Sequence, residues 1–382
     1  MRASRSVGSA AKAMLVGVIV SVIGAGCSGA GASAPPASGT STPAASKAPG
    51  CLVAEAWNNY SEERLGLLDQ PAIEAQIQAA GGRYVWADAK SSADTQVEEI
   101  DQFVKDGAKV IIVRPMVAYD TDAASIGTAI DRATAAGVAV IVYDYLIDSP
   151  KALYVAFDPV EAGRMEARAV LAAKPTGNYV ILKGHSEQQI LPVLIANGIH
   201  EVLQPAIDKG EIKIVDETFV ENWDPVQAQL HLAYLLPRNG EIDAVIAESN
   251  GMASGAIAAL KEAGLDGKVP VAGYGASAGG DDDPTSLNHI AAGTQTVDVW
   301  TNARLMAKAA GDAAVALCAD PDISKLSGTT KLALPGRGEM TSLLIAPQPI
   351  TRDNLKTVID EGWFSKEVVC RDIPAGTTPA CP

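Results

Sequence analysis

Hydrogen-bonding side chains and aromatic rings gather just past the ends of short apolar runs in this chain. Trp57, Asn58 and Asn59 follow the run 52–56, with Glu63 and Arg64 a few positions on, and Asp144 and Tyr145 follow the run 138–143. In the second half, Gln188, Trp223, Asn250 and Tyr274 stand in similar places. Amides, carboxylates and a guanidinium can fix polar groups of a small ligand, and rings can stack on its apolar faces. That is the chemistry of reversible capture. A bond-breaking alternative is weak: Gly275 to Gly279 reads G-x-S-x-G, but a loop follows it where a nucleophile elbow needs a helix, and only His289 comes after. No G-x-G-x-x-G follows the first apolar run, so no dinucleotide cofactor is expected. The cysteines lack metal-site spacing and have no histidine near them, so no metal is expected.

The apolar runs must be strands, because helical periods separate them. Strands are expected at 52–56, 84–87, 110–113 and 138–143, with helices at 65–80, 93–106 and 122–136 between them. The pattern repeats with strands at 179–182, 212–217, 244–247 and 269–272, and helices at 159–173, 191–203, 225–236 and 253–263. Such alternation builds α/β doubly wound parallel sheets, whose ligands bind beyond the carboxyl ends of the strands. Two such lobes are expected. A strand at 293–299, a helix at 302–317, a strand at 341–346 and a helix at 351–361 suggest a chain that crosses between lobes three times. The crossings are expected near 147–150, 299–302 and 339–342. The N-terminal lobe would then comprise 51–148 plus 301–340, and the C-terminal lobe 149–300 plus 341–382.

The first 27 residues read as an export signal. Arg2, Arg5 and Lys12 precede a short apolar stretch at 14–23, too short to span a bilayer comfortably. Gly24-Ala25-Gly26-Cys27 then resembles a bacterial lipobox, which implies a lipid on Cys27 and attachment to the cell membrane. Gly24 stands where an aliphatic residue is usual. Residues 28–50, mostly Ala, Ser, Gly, Pro and Thr, read as a flexible tether. Export permits disulfides. Cys51 starts the first strand and Cys318 ends the helix expected to run away from the cleft, so both belong at the base of one lobe. Cys51–Cys318 and the local pair Cys370–Cys381 are expected. The formal net charge of −15 argues against nucleic acid as a partner.

Several stretches carry a family likeness. They are VIVYD at 140–144, ALYVAFD at 152–158 followed by Glu161-Ala162-Gly163, and Asn222-Trp223-Asp224-Pro225. IAAGTQT at 290–296 is close to identical to the family's own segment. The region from about residue 52 to 367 resembles the type I periplasmic sugar-binding proteins of ABC importers, and within them the D-xylose-binding group. The resemblance implies a monomeric two-lobed receptor, not an enzyme, that closes on a monosaccharide or polyol and presents it to a permease. It implies that Arg64 and Asp144 contact sugar, that Trp223 stacks on it, and that Ser249-Asn250 stands where the family has Asn-Asp. Tyr145 replaces an arginine, Tyr274-Gly275 replaces Gln-Asp, and Trp300-Thr301 replaces Tyr-Lys near a hinge. Xylose itself is therefore one possibility among small polyhydroxylated ligands. A lipid-anchored receptor serving a signalling partner is the alternative.

Overall fold

The computed structural model describes residues 47–117, 120–185, 190–275 and 284–382. The expectations for the export signal, Cys27 and nearly all of the tether lie outside these residues.

The chain begins with β1 (Leu52–Trp57), α1 (Gln70–Ala79), β2 (Arg83–Asp88), α2 (Ala93–Lys105), β3 (Val110–Arg114), α3 (Asp120–Ala135), β4 (Ala139–Tyr143) and β5 (Leu153–Phe157). It continues through α4 (Pro159–Ala173), β6 (Gly177–Lys183), α5 (Leu191–Asp208), β7 (Ile212–Phe219), α6 (Pro225–Leu235), β8 (Ala244–Ala247) and α7 (Asn250–Glu262). Then come β9 (Val271–Tyr274), α8 (Thr285–Ala292), β10 (Val297–Trp300) and α9 (Ala303–Ala319). β11 (Thr330–Leu334), β12 (Gly338–Ile345), β13 (Gln348–Ile350), α10 (Lys356–Asp360) and α11 (Lys366–Val369) complete it.

These strands form two sheets, ordered β11-β12-β5-β4-β3-β1-β2 and β13-β10-β9-β8-β6-β7. Pairing is parallel except where β11 meets β12 and β13 meets β10. Every residue of β1, β3, β4 and β5 is buried, because helices cover both faces of the first sheet. Helix starts are set by side chains that accept from orphan backbone N–H groups. Ser92 caps α2, Asp158 caps α4, Asp224 caps α6 and Ser249 caps α7.

The helices α4 and α5 meet through glycine. A Cβ on Gly163 would lie 2.0 Å from the Ile195 carbonyl oxygen, and one on Gly198 would lie 2.0 Å from that of Val160. The two backbones touch, and no larger residue fits at either point.

The lobe boundaries differ from those expected. β5 belongs to the first sheet, pairing with β4 through Ile141↔Leu153, not to a lobe beginning at residue 149. β12 joins it there through Ser342↔Tyr154, instead of opening a second-lobe segment at 341. The crossings therefore fall between β5 and α4, between β10 and α9, and between β12 and β13. Parallel neighbours normally need a long crossover connection. Here only residues 144–152 join β4 to β5, so the helix-strand alternation gave no sign that both lie in one sheet. Two further corrections concern boundaries. α7 starts at Asn250, since Ser249 caps it. The segment expected as a strand from 293 begins as strand only at Val297, because Gly293 ends α8 in a left-handed conformation (φ 80°).

Disulfides join Cys51 to Cys318 and Cys370 to Cys381. The second helps to close a small core in which the tail residues Leu355, Val358 and Val369 pack with Trp300 of β10 and Leu287 and Ile290 of α8. Trp363 meets Trp300 edge-on at 5.3 Å.

Candidate ligand-binding site

Three strands of the first sheet end side by side. Trp57 at the end of β1 is level with Arg114 at the end of β3, and Val113 is level with Val142 of β4. The turns that leave these ends carry the polar groups. After β4, Asp144 adopts a positive φ of 67°, rare for a residue with a side chain. The turn is held on all sides. The Asp144 N–H donates to the Val155 carbonyl (2.9 Å), the Tyr145 N–H to that of Tyr143 (2.8 Å), and the Tyr154 hydroxyl to the Asp144 carbonyl (3.0 Å).

Two arginines converge on the Asp144 carboxylate. Its Oδ2 accepts from Arg64 Nη2 (2.7 Å) and from Arg114 Nε (2.9 Å). Arg64 also donates through Nε to Asp69 (2.9 Å), which in turn accepts from the Tyr143 hydroxyl. Arg114, 2% exposed, donates through Nη1 to Asn58 Oδ1 (2.7 Å) and Glu62 Oε1 (2.8 Å). Its Cζ lies 4.2 Å from the centre of the Tyr145 ring. Burial alone would raise the Asp144 carboxyl. The charges and hydrogen bonds of Arg64 and Arg114 outweigh it and hold the group at about 2. Asp144 is thus a fixed anion whose Oδ2 is occupied by cations.

In the second lobe, Gly184 follows β6, and the Trp223 ring lies against it: a Cβ there would come within 2.1 Å of the indole. Asn222 and Trp223 both have φ near 56°, and the Asn222 N–H donates to His185 Nδ1 (3.2 Å). Tyr274, at the end of β9, is partly buried. Burial first, then the charges of Asp144 and of Glu166, push its hydroxyl up. The charge of Asp144 at the end of β4 thus contributes to the environment of Tyr274 at the end of β9.

The second lobe also holds two fully buried carboxyl groups, Glu166 of α4 and Glu248 just past β8. Glu248 Oε2 accepts from the Gly184 N–H (2.9 Å), while its Oε1 and both oxygens of Glu166 have no hydrogen-bond partner among the described residues. Burial pushes both well up, and a like charge adds to each: Glu248 raises Glu166, and Glu217 raises Glu248.

The expected residues divide as follows. Asn58, Arg64, Asp144 and Tyr145 come together, all within reach of Arg114. Trp57 is not a presented ring. It is fully buried against Tyr60 and Tyr143, because β1 runs on through residue 57 and both faces of its sheet are covered. Asn59 accepts from the Ser61 N–H (3.0 Å) and shapes its own turn. Asn250 is engaged below the surface, donating to Asp298 (3.1 Å) and accepting from Gln295 (3.1 Å). Gln188 and Ser277 lie outside the described residues. Trp300 is buried in the tail core. Arg114 was not anticipated, although one arginine closing an otherwise apolar strand, VIIVR, was the available signal. A cavity of about 560 Å³ at the far end of the second lobe, near Lys174, Ile242 and Val269, is separate from this site. Among the described residues no group of three His, Cys, Asp or Glu side chains is arranged to hold a metal ion, and no helix is long and apolar enough to cross a membrane.

The sequence matches the family model described as periplasmic binding protein domain over residues 57–321. The chain belongs to the periplasmic binding protein family. Within that family it is similar to the D-xylose-binding periplasmic protein of Escherichia coli (strain K12), 30% identical over 301 residues, covering 78% of this chain and 86% of that one. Among solved structures, the Caulobacter myo-inositol binding protein bound to myo-inositol is 26% identical with a TM-score of 0.58, covering 80% of this chain and 95% of that one. An ABC transporter solute-binding protein of Clostridium phytofermentans with bound β-D-glucose aligns with a TM-score of 0.64 at 21% identity, over 83% of this chain and 99% of that one. These periplasmic binding proteins are not enzymes, and the arrangement above suits capture: fixed polar groups and a ring gather past the strand ends of the first sheet.

Proposed function

We propose that this protein is the extracytoplasmic solute-binding lipoprotein of an ABC importer. It holds a monosaccharide or related polyol between its lobes and delivers it to a permease. It works as a monomer, moored to the cell membrane through a lipid on Cys27 and the tether that follows. The carrying observation is the Asp144 carboxylate, fixed by Arg64 and Arg114 at the strand ends of one lobe. A carboxylate held as an anion is an acceptor for ligand hydroxyl groups. Arg64 and Arg114 are already matched by Asp69, Asp144 and Glu62, which favours an uncharged ligand over a sugar acid. Tyr145 and Trp223 supply ring faces. The relatives named for D-xylose and myo-inositol, and the glucose-bound structure, support the ligand class.

Titration calorimetry with D-xylose, D-ribose, D-glucose, xylitol and myo-inositol tests the reading. Saturable binding of at least one is expected, and no heat with any of them would overturn it. Mass spectrometry of membrane-extracted protein, expected to find a diacylglyceryl group on Cys27, tests the anchor.

A further inference from the structure

We propose that Arg114 is the positioning residue of this site, a buried guanidinium that sets Asp144, Asn58, Glu62 and Tyr145 for ligand without being a ligand contact itself. The inference rests on the ligand reading above and goes beyond it by assigning the organiser.

The topology explains why one side chain suffices. β3 lies between β4 and β1 in the sheet. A residue at its end sits between the turn that carries Asp144 and Tyr145 and the turn that carries Asn58 and Glu62. Arg114 reaches both. Its Nε bonds Asp144, its Nη1 bonds Asn58 and Glu62, and its plane lies over the Tyr145 ring. A guanidinium offers several donors in one rigid plane and also stacks, which an ammonium does not do. Arg114 is 2% exposed, whereas Tyr145 keeps 38% of its surface open. The arginine is the concealed part and the tyrosine the presented one.

Stability is a poor reason for the arrangement. Burying an arginine is costly, and a buried ion pair is often no better than apolar packing of similar size. What the pairing secures is geometry. Asp144 holds an uncommon backbone conformation, and its carboxylate is steered from two sides.

The test uses the pH dependence of affinity. The charges facing Asp144 are Arg64 and Asp69 from the segment after β1, Glu62 from the same segment, and Arg114. Tyr143, Tyr145 and Tyr154 approach it from its own lobe and Tyr274 from the other. With both arginines in place Asp144 stays ionised far below neutral pH. Removing one lets its carboxyl rise toward the ordinary range.

Affinities of wild type, Arg114→Met and Arg114→Lys are measured by calorimetry from about pH 7 to about pH 4, for whichever of D-xylose, D-ribose, D-glucose, xylitol and myo-inositol the wild type binds. The wild type should hold its affinity across this range. Arg114→Met should bind at least ~10-fold more weakly at pH 7 and lose further affinity on acidification. Arg114→Lys keeps the charge but not the fork, so it should recover the flat profile and only part of the affinity. Circular dichroism reports folding, and Arg114→Lys decides the matter if Arg114→Met does not fold. Wild-type affinity and a wild-type profile in the variants overturn the positioning role and leave the ligand reading standing. Failure of the wild type to bind any of the five overturns the ligand reading, and the role of Arg114 with it.

Discussion

Arg64 and Asp144 stand eighty positions apart in sequence and 2.7 Å apart in space, a guanidinium from the segment after the first strand against a carboxylate in the turn after the fourth. Replacing Asp144 by Ala leaves Arg64 with Asp69 and the buried Arg114 with Glu62, but removes the carboxylate that both guanidinium groups share. Ligand affinity should fall by at least ~10-fold, and folding stability by roughly 1–3 kcal/mol. Calorimetry and urea unfolding measure the two separately.

The site's pH behaviour has two opposing parts. Asp144 is held at about 2 in the folded protein against ~3.9 in an unfolded chain, so its contribution is present above ~3.9 and is lost as pH falls toward 2. Glu55, Glu166 and Glu248 are raised, chiefly by burial. Their contribution is complete below ~4.3 and declines as pH rises above it, until their folded values are passed. Stability should therefore peak on the acid side of neutrality. Glu166→Gln should flatten the decline between about pH 5 and 8, measured by urea midpoints across pH.

Gly184 and Trp223 offer a way to move the second lobe's ring without removing it. A methyl at residue 184 cannot coexist with the indole where it lies. Gly184→Ala should displace Trp223 and weaken binding by ~10-fold, an effect comparable with Trp223→Ala, since stacking contributes on the order of 1 kcal/mol. Equal affinity in both variants and wild type would place ligand elsewhere.

Gly163→Ala and Gly198→Ala should each destabilise the second lobe by about 1–3 kcal/mol or more, because the added methyl meets backbone that cannot swing aside. Thermal unfolding of each single variant checks this.

The two disulfides differ in span. Cys51–Cys318 closes a separation of 267 residues and Cys370–Cys381 one of 11. On the chain-entropy model their removal by paired Cys→Ala changes should cost about 6 and about 3 kcal/mol. Urea unfolding of the two paired variants gives the order.

Much of this was written in local patterns. The strands of the first sheet are apolar throughout because both faces are covered, and caps such as Ser92 and Asp224 mark helix starts within a residue or two. Asp144, Arg64 and Tyr145 stood out because polar groups after apolar runs collect at strand ends. What stayed hidden was long-range. Trp57 looked like a presented ring after a strand ending at residue 56, but β1 runs on through it and both faces of the sheet are covered. Arg114 belongs to a strand by sequence and to the site by topology. Its partners Asn58, Glu62 and Asp144 are between 30 and 56 positions away. The β4–β5 step hid the lobe boundary, since adjacent parallel strands joined without a helix leave no periodic trace.

The tail core has a consequence for how the chain can be shortened. Trp300 lies on a strand that leads from one lobe to the other, and Trp363 is its ring partner from the tail. A protein ending at Gly362 would lose that partner together with α11 and the Cys370–Cys381 link. The damage would surface at an interior joint, where the chain passes from one sheet to the other, far in sequence from the cut.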